Sequence, residues 1–292
     1  MLRRFALALL IAPLIFSANV SAAPAPDTKN KGLYVSPLRS YLTLNAGQSV
    51  TRAFTAANLT DSPMTITTDI DQFSMVDYSY DYRFNEADND WVKLTEPATA
   101  LKPYESHELA YTVTVPKNAA PGGHYYTLYA AAPIKNGDNT TSTVRVATLL
   151  YLTVQGTLTR SLQVTKSSIP YFSADTTIPY SFDVKNTGNI HYFALVSARI
   201  DGLFYSDAPN GTSQLLMPGT TRTINASITT PPLPGIYNLT YTITPEDGSP
   251  IQKSQYFIYA PLWSIITLSL LIAAIVKIIQ HRRKKSKKLS EQ

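Results

Sequence analysis

"LKPYESHELAYTVTVPKNAAPGGHYY", residues 101–126, is the stretch on which the fold turns. Leu109, Tyr111, Val113 and Val115 alternate along it, which places them on one face of a β-strand, because successive strand side chains point to opposite sides. Pro103 and Pro116 bound the run. Proline has no amide to donate to a ladder, so it marks strand ends. Gly122 supplies the backbone freedom of a tight turn, and Tyr125 and Tyr126 start the next strand. The five positions Gly122-Gly123-His124-Tyr125-Tyr126 also have the composition of an anion-cradling loop beside a general base.

The rest of the chain chooses between these readings, because the stretch recurs. "LMPGTTRTINASITTP" (216–231) repeats the leucine and both prolines in register, and "LPGIYNL" (233–239) repeats the Pro-Gly and the tyrosine. Upstream, "FTAANLTDSPMTI" (54–66) matches "FDVKNTGNIHYFA" (182–194), each with Phe followed four residues later by Asn. The second copy has Ile236 where the first has Gly-His, so a turn that persists without its histidine needs no chemistry at His124. Tyr180, Phe182 and Val184, and Tyr237, Leu239, Tyr241 and Ile243, repeat the alternation. Turn signals such as Asn136-Gly137-Asp138 and Asn210-Gly211 separate the runs. The expected fold class is all-β: two tandem immunoglobulin-like β-sandwiches, 30–157 and 158–258, plus one C-terminal transmembrane helix.

The ends of the chain set its topology. Arg3 and Arg4, the apolar run Phe5 to Phe16, and small residues up to Ala23 read as a secretory signal over 1–23, with an uncleaved anchor as the alternative. Leu262 to Ile279 is a second apolar segment, with Tyr259 and Trp263 at one edge, inside an expected transmembrane helix over 260–280. A basic tail over 281–292 follows, which under the positive-inside rule is cytoplasmic and leaves the ectodomain outside. The net charge of +5 is therefore a topology signal. Without the signal and everything from Lys277 onward, 16 basic and 19 acidic residues remain, a net of −3, which excludes nucleic acid as a partner. The chain has no cysteine. An exported ectodomain of about 235 residues without disulfides points to a bacterial surface protein.

Catalysis finds no support. His107, His124 and His191 lack a carboxylate and serine at a known spacing, and neither G-x-S-x-G nor H-E-x-x-H occurs. No catalytic residue and no cofactor is expected. Asp88-Asn89-Asp90 with Glu86 lacks the glycine and distal glutamate of a calcium loop, so it reads as a solvated acidic loop and no metal is expected.

The two copies differ in length. Asn58 to Pro103 spans 45 residues and Asn186 to Pro218 spans 32, so the first copy carries about 13 more, within "DQFSMVDYSYDYRFNEADNDWVKL" (71–94). There Tyr78, Tyr80, Tyr82 and Phe84 alternate, and an extended strand would line all four on one face. They either cover the sandwich core or form an exposed aromatic platform for sugar rings or a partner protein. These four are the candidate ligand-binding residues; Trp91 is expected in the core.

"YVSPLRSYLTLNAGQSVTRAFTAANLTDSPMTITTDIDQF" (34–73) and "DWVKLTEPATALKPYESHELAYTVTVPKNAAPGGHYYTLYAA" (90–131) resemble the N-terminal domain of the WxL-interacting protein family. Ser36-Pro37-Leu38-Arg39, Asn58, Trp91-Val92-Lys93-Leu94 and Ala120-Pro121-Gly122-Gly123 carry the likeness. It implies a non-enzymatic, membrane-anchored surface scaffold whose first domain binds peptidoglycan or another cell-wall glycan and whose second binds a WxL-type surface protein. Two other readings stay open. One is an assembly factor of the pilus-chaperone type, which also uses two Ig-like domains and needs an unpaired edge strand. The other is an accessory subunit of a membrane complex, contacting it through the span or tail.

Overall fold

The computed structural model describes residues 32–136 and 140–290; the expected signal (1–23) and Gly137 to Asn139 lie outside them. Ten strands come first: β1 Leu33–Ser36, β2 Arg39–Leu44, β3 Ser49–Asn58, β4 Met64–Met75, β5 Tyr82–Glu86, β6 Val92–Leu94, β7 Ala98–Leu101, β8 Ser106–Thr114, β9 Gly122–Asn136 and β10 Thr140–Val154. Nine follow: β11 Leu162–Ser168, β12 Phe172–Ser173, β13 Thr177–Asn186, β14 Tyr192–Gly202, β15 Ser206–Asp207, β16 Thr212–Leu216, β17 Thr221–Thr229, β18 Gly235–Pro245 and β19 Ile251–Tyr259. The chain ends in helix α1, Leu262–Ser290.

The strands form two sandwiches. In the first, a sheet ordered β1-β3-β8-β6 faces one ordered β2-β10-β9-β4-β5, with β7 also on β4. In the second, β11-β13-β17 faces β12-β19-β18-β14-β15, with β16 also on β14. The opening segment behaves alike in both. β1 pairs antiparallel with β3 and then β2 crosses to run parallel with β10; β11 pairs with β13 and then β12 runs parallel with β19. The repeat in sequence is thus a repeat in topology.

The alternating residues do what their period requires. Leu109, Tyr111, Val113 and Val115 are buried, as are Tyr180, Phe182 and Val184, and Tyr237, Leu239, Tyr241 and Ile243. They fill two separate cores, one per sandwich. Trp91 packs half-buried against the first core.

The recurring asparagines have the same task. Asn58 is fully buried; its Nδ2 donates to Ser62 O (2.8 Å) and Lys102 O (2.9 Å), and its Oδ1 accepts from Thr60 N (2.9 Å). Asn186 donates to Ile190 O (2.9 Å) and Leu216 O (3.0 Å) and accepts from Gly188 N (2.9 Å). Each side chain ties the end of one strand to the turn after it and to the Leu-x-Pro segment of a distant strand.

Leu262–Arg283 is 22 residues long and holds an 18-residue stretch with mean hydropathy 2.4, long and apolar enough to cross a membrane. Pro261 precedes it, where a missing amide costs no intrahelical bond. The helix continues without a break into the basic run that the sequence set apart as a tail, because nothing there breaks helical hydrogen bonding.

Replacing Asn186 by Ala strands two buried carbonyls and one amide. At about 1–3 kcal/mol per unsatisfied group, with partial relaxation, about 3 kcal/mol of stability should be lost. Urea unfolding of the full chain in detergent checks this; an unchanged midpoint would show the clamp to be dispensable.

Candidate functional site

The four candidate aromatics do not share one strand face. Only Tyr82 and Phe84 do, in β5, where their rings stack 5.9 Å apart at 6° on the exposed surface. Between Val76 and Asp81 the chain folds back on itself: Val76 N–H donates to Asp81 O (2.9 Å) and Tyr80 N–H to Val76 O (3.0 Å). Tyr78 and Tyr80 sit in the left-handed region, at φ 67° and 61°. Such a conformation costs a non-glycine residue about 1–2 kcal/mol, so it needs compensation from elsewhere.

The compensation comes from the second sandwich. Thr221 N–H donates to Asp77 Oδ1 (2.7 Å), Tyr78 N–H to Thr221 O (2.7 Å), and Thr223 N–H to Tyr78 O (3.2 Å). Tyr78 thereby forms a parallel bridge with Arg222 on the outer edge of β17. The Tyr80 hydroxyl accepts from Met217 N–H, and the Arg222 guanidinium lies 4.5 Å from the centre of its ring. Burial pushes the Tyr80 hydroxyl up to about 12. Tyr80 is therefore a fastener between sandwiches. Tyr78 keeps its ring exposed, at 58%.

The opening motif lies at the same junction. Gly123 N–H donates to Asn189 O (2.9 Å), and Asn189 Nδ2 donates back to Pro121 O (3.1 Å). A Cβ on Gly122, which has φ 144°, would stand 2.7 Å from Asn189 O, so the glycine is required by close approach of the two sandwiches. The Tyr125 hydroxyl meets His191 Nδ1 (3.1 Å) and accepts from His191 N–H (3.0 Å). His124 packs its ring on Trp91, 4.5 Å between centroids, and hydrogen-bonds the Ala120 backbone. The acidic loop is used internally: Asp88 accepts from Gln72 Nε2 (2.6 Å) and Asn89 Oδ1 accepts from the Tyr126 hydroxyl (2.8 Å). Among the described residues, no three His, Cys, Asp or Glu side chains gather where they would hold a metal ion.

A second feature lies on β10. β10 runs fifteen residues, Thr140–Val154, and pairs with β9 throughout, but on its other side β2 covers only Leu149 to Val154. Leu149 N–H donates to Leu38 O (3.0 Å) and Gln155 N–H to Leu44 O (2.9 Å), so the odd-numbered residues turn their backbone groups away from β9. By that alternation Thr143, Arg145 and Ala147 present theirs at the uncovered edge. Among the described residues no strand pairs with β10 there. Val144 and Val146 point toward the core from this edge and stay half-buried. The mismatch between a six-residue β2 and a fifteen-residue β10 creates the opening. "TTSTVRVATLLYLTV" shows the length of the strand, but its partner cannot be read from sequence.

No family model matches the chain, and no curated protein does. Among solved structures, the class 5 fimbriae chaperone CfaA is 12% identical, covering 79% of this chain and all of its own, with TM-score 0.45. The CsuC–CsuE chaperone–tip adhesion subunit complex of Acinetobacter baumannii gives 13% identity over 67% of this chain and 90% of its own, with TM-score 0.38. The CupB2 chaperone of Pseudomonas aeruginosa gives 11% over 76% and 99%, with TM-score 0.34.

His191, between the sandwiches, makes the junction sensitive to pH. Burial, aided by the Arg160 charge, lowers its pKa from 6.5 to about 4. A folded value below the unfolded one means that the unfolded chain takes the proton first. Stability is then full above pH 6.5 and falls as pH drops toward 4. The unfolding temperature should decline across that window, and less steeply in His191→Gln. Equal slopes for the two proteins would remove His191 as the cause.

Proposed function

We propose that the protein is a non-enzymatic, membrane-tethered binding module, with its sandwiches outside the membrane and its basic tail in the cytoplasm. It holds a partner protein by adding an extended segment to the edge of β10. The observation that carries this reading is the run of outward backbone groups at Thr143, Arg145 and Ala147 beside half-buried Val144 and Val146. A strand laid there gains main-chain hydrogen bonds, and alternate apolar side chains on it cover the two valines. On this reading the protein is an assembly factor for extended subunits, of the kind named for the fimbrial chaperones, held at the membrane by α1.

Ala147→Pro tests it. Proline removes one outward amide and no bond to β9, and edge positions tolerate it. A photo-crosslinking residue at Thr143, in cells, should trap a partner in the parent and lose it in Ala147→Pro, while the unfolding midpoint stays near the parent value. Undiminished trapping in the proline variant would sink the proposal.

A second reading rests on the stacked, exposed pair Tyr82 and Phe84, 38% and 44% accessible, which offers a flat aromatic surface to a sugar ring. It keeps the peptidoglycan-binding role implied by the resemblance to the WxL-interacting family. Retention on purified peptidoglycan should fall in Tyr82→Ala plus Phe84→Ala; full retention would leave wall binding without this site.

A further inference from the structure

One end of the second sandwich carries apolar side chains that, among the described residues, nothing covers, and this end leads into α1. β14 and β15 are joined by a tight turn closed by Gly202 N–H donating to Tyr205 O (2.7 Å), and its tip, Leu203 and Phe204, is 86% exposed at both residues. The strands beside it continue the pattern. Phe172 pairs with Ile258, and Ile258 with Ile236, so the three form one row across β12, β19 and β18 on the outer face. Their exposures are 53%, 51% and 67%. Gly202 pairs with Tyr237, which puts Leu203 next to Ile236 and extends the row to β14.

Exposed apolar residues scattered singly need no explanation, but a contiguous row does. This row is continuous with the helix. One cleft is lined by Leu203, Phe204 and Ile236, and the next by Ile236, Ile258, Trp263 and Leu271. Only Ala260 and Pro261 separate β19 from α1. No charged residue occurs in 202–205, 230–236 or 256–276. Asp201, just behind the tip, is held by Arg199 (2.8 Å) and by the Ser206 hydroxyl (2.8 Å), and Asp175 lies in the link from β12 to β13 at this end.

We infer that this end of the second sandwich is a membrane-seating collar: Phe204, Leu203, Ile236, Ile258 and Phe172 enter the interfacial zone of the phospholipid bilayer that α1 crosses. The occupant is lipid because the row begins where the chain enters the span, and a uncharged apolar surface at that depth is in the solvent it prefers. Trp263, 54% exposed at the first turn of α1, marks the interfacial level for the collar. The docked collar holds the sandwich at a set height and tilt above the membrane, which a two-residue linker alone would not do. The inference rests on the membrane-span reading of Leu262–Arg283.

The absence of cysteine permits single-site labelling of the whole chain. Nitroxides are placed on Phe204→Cys, Ile236→Cys, Leu270→Cys and Leu38→Cys in full-length protein in phosphatidylcholine–phosphatidylglycerol vesicles, each first checked for an unchanged unfolding transition. Collision with oxygen reports lipid, and collision with a water-soluble nickel chelate reports solvent. The labels at 204, 236 and 270 should all favour oxygen, with nickel collision several-fold below that at 38, a distant exposed site. A label at 270 that favours nickel overturns the span itself. A lipid-exposed 270 with solvent-exposed 204 and 236 overturns the collar alone. Protection of 204 and 236 from both reagents also overturns it, since protein would then cover the row.

Discussion

A buried side-chain amide closes each sandwich, and the rest of the arrangement is hung on that closure. Asn58 and Asn186 each sit at the end of a strand, where the chain must leave one sheet and cross to the other. Buried backbone groups in such a crossing have no ladder partner, and leaving them unpaired would undo several apolar contacts' worth of stability. One asparagine supplies two donors and an acceptor from a single rigid plane, so it satisfies the turn and a distant strand together. Both folded-back strands, β4 and β14, start from a point fixed in this way. Everything that protrudes from them, including the segment after β4, is positioned by it.

That segment is where reading the sequence stops working, for a definite reason. The sandwiches were legible because burial on one face forces a period of two, and Tyr111, Phe182 and Tyr241 obey it. The asparagines were visible as a repeat, although their hydrogen bonds were not. Tyr78 to Phe84 shows the same period, yet only Tyr82 and Phe84 lie in a strand, because left-handed residues at 78 and 80 break it. Those conformations are set by Thr221, Arg222 and Met217, more than a hundred residues away, and no local pattern encodes such a partner. The open edge of β10 was missed for a related reason: edges follow from what fails to pair, and pairing is a long-range property.

The additional length of the first copy has two structural uses. β8 and β17 are equivalent strands by the repeat. β8 gains β6 as its outer neighbour, so its sheet has four strands where the equivalent sheet has three. β17 gains Tyr78 on the corresponding side, contributed by the first sandwich. With Tyr125 on His191 and Gly123 on Asn189, this adds directed hydrogen bonds to a junction where Phe73, Met75 and Tyr151 pack with Met217. The exposed strand edge of the first sandwich and the apolar end of the second are thereby held in one relation.

The bridge at β17 has a consequence for solubility. A strand with unpaired amides and carbonyls on a sheet margin is a template for any like strand. By placing one kinked, left-handed residue against Arg222, the chain blocks in-register addition along β17 without lengthening the sheet. Loss of that kink would therefore show first as self-association through the second sandwich, before any loss of folded structure.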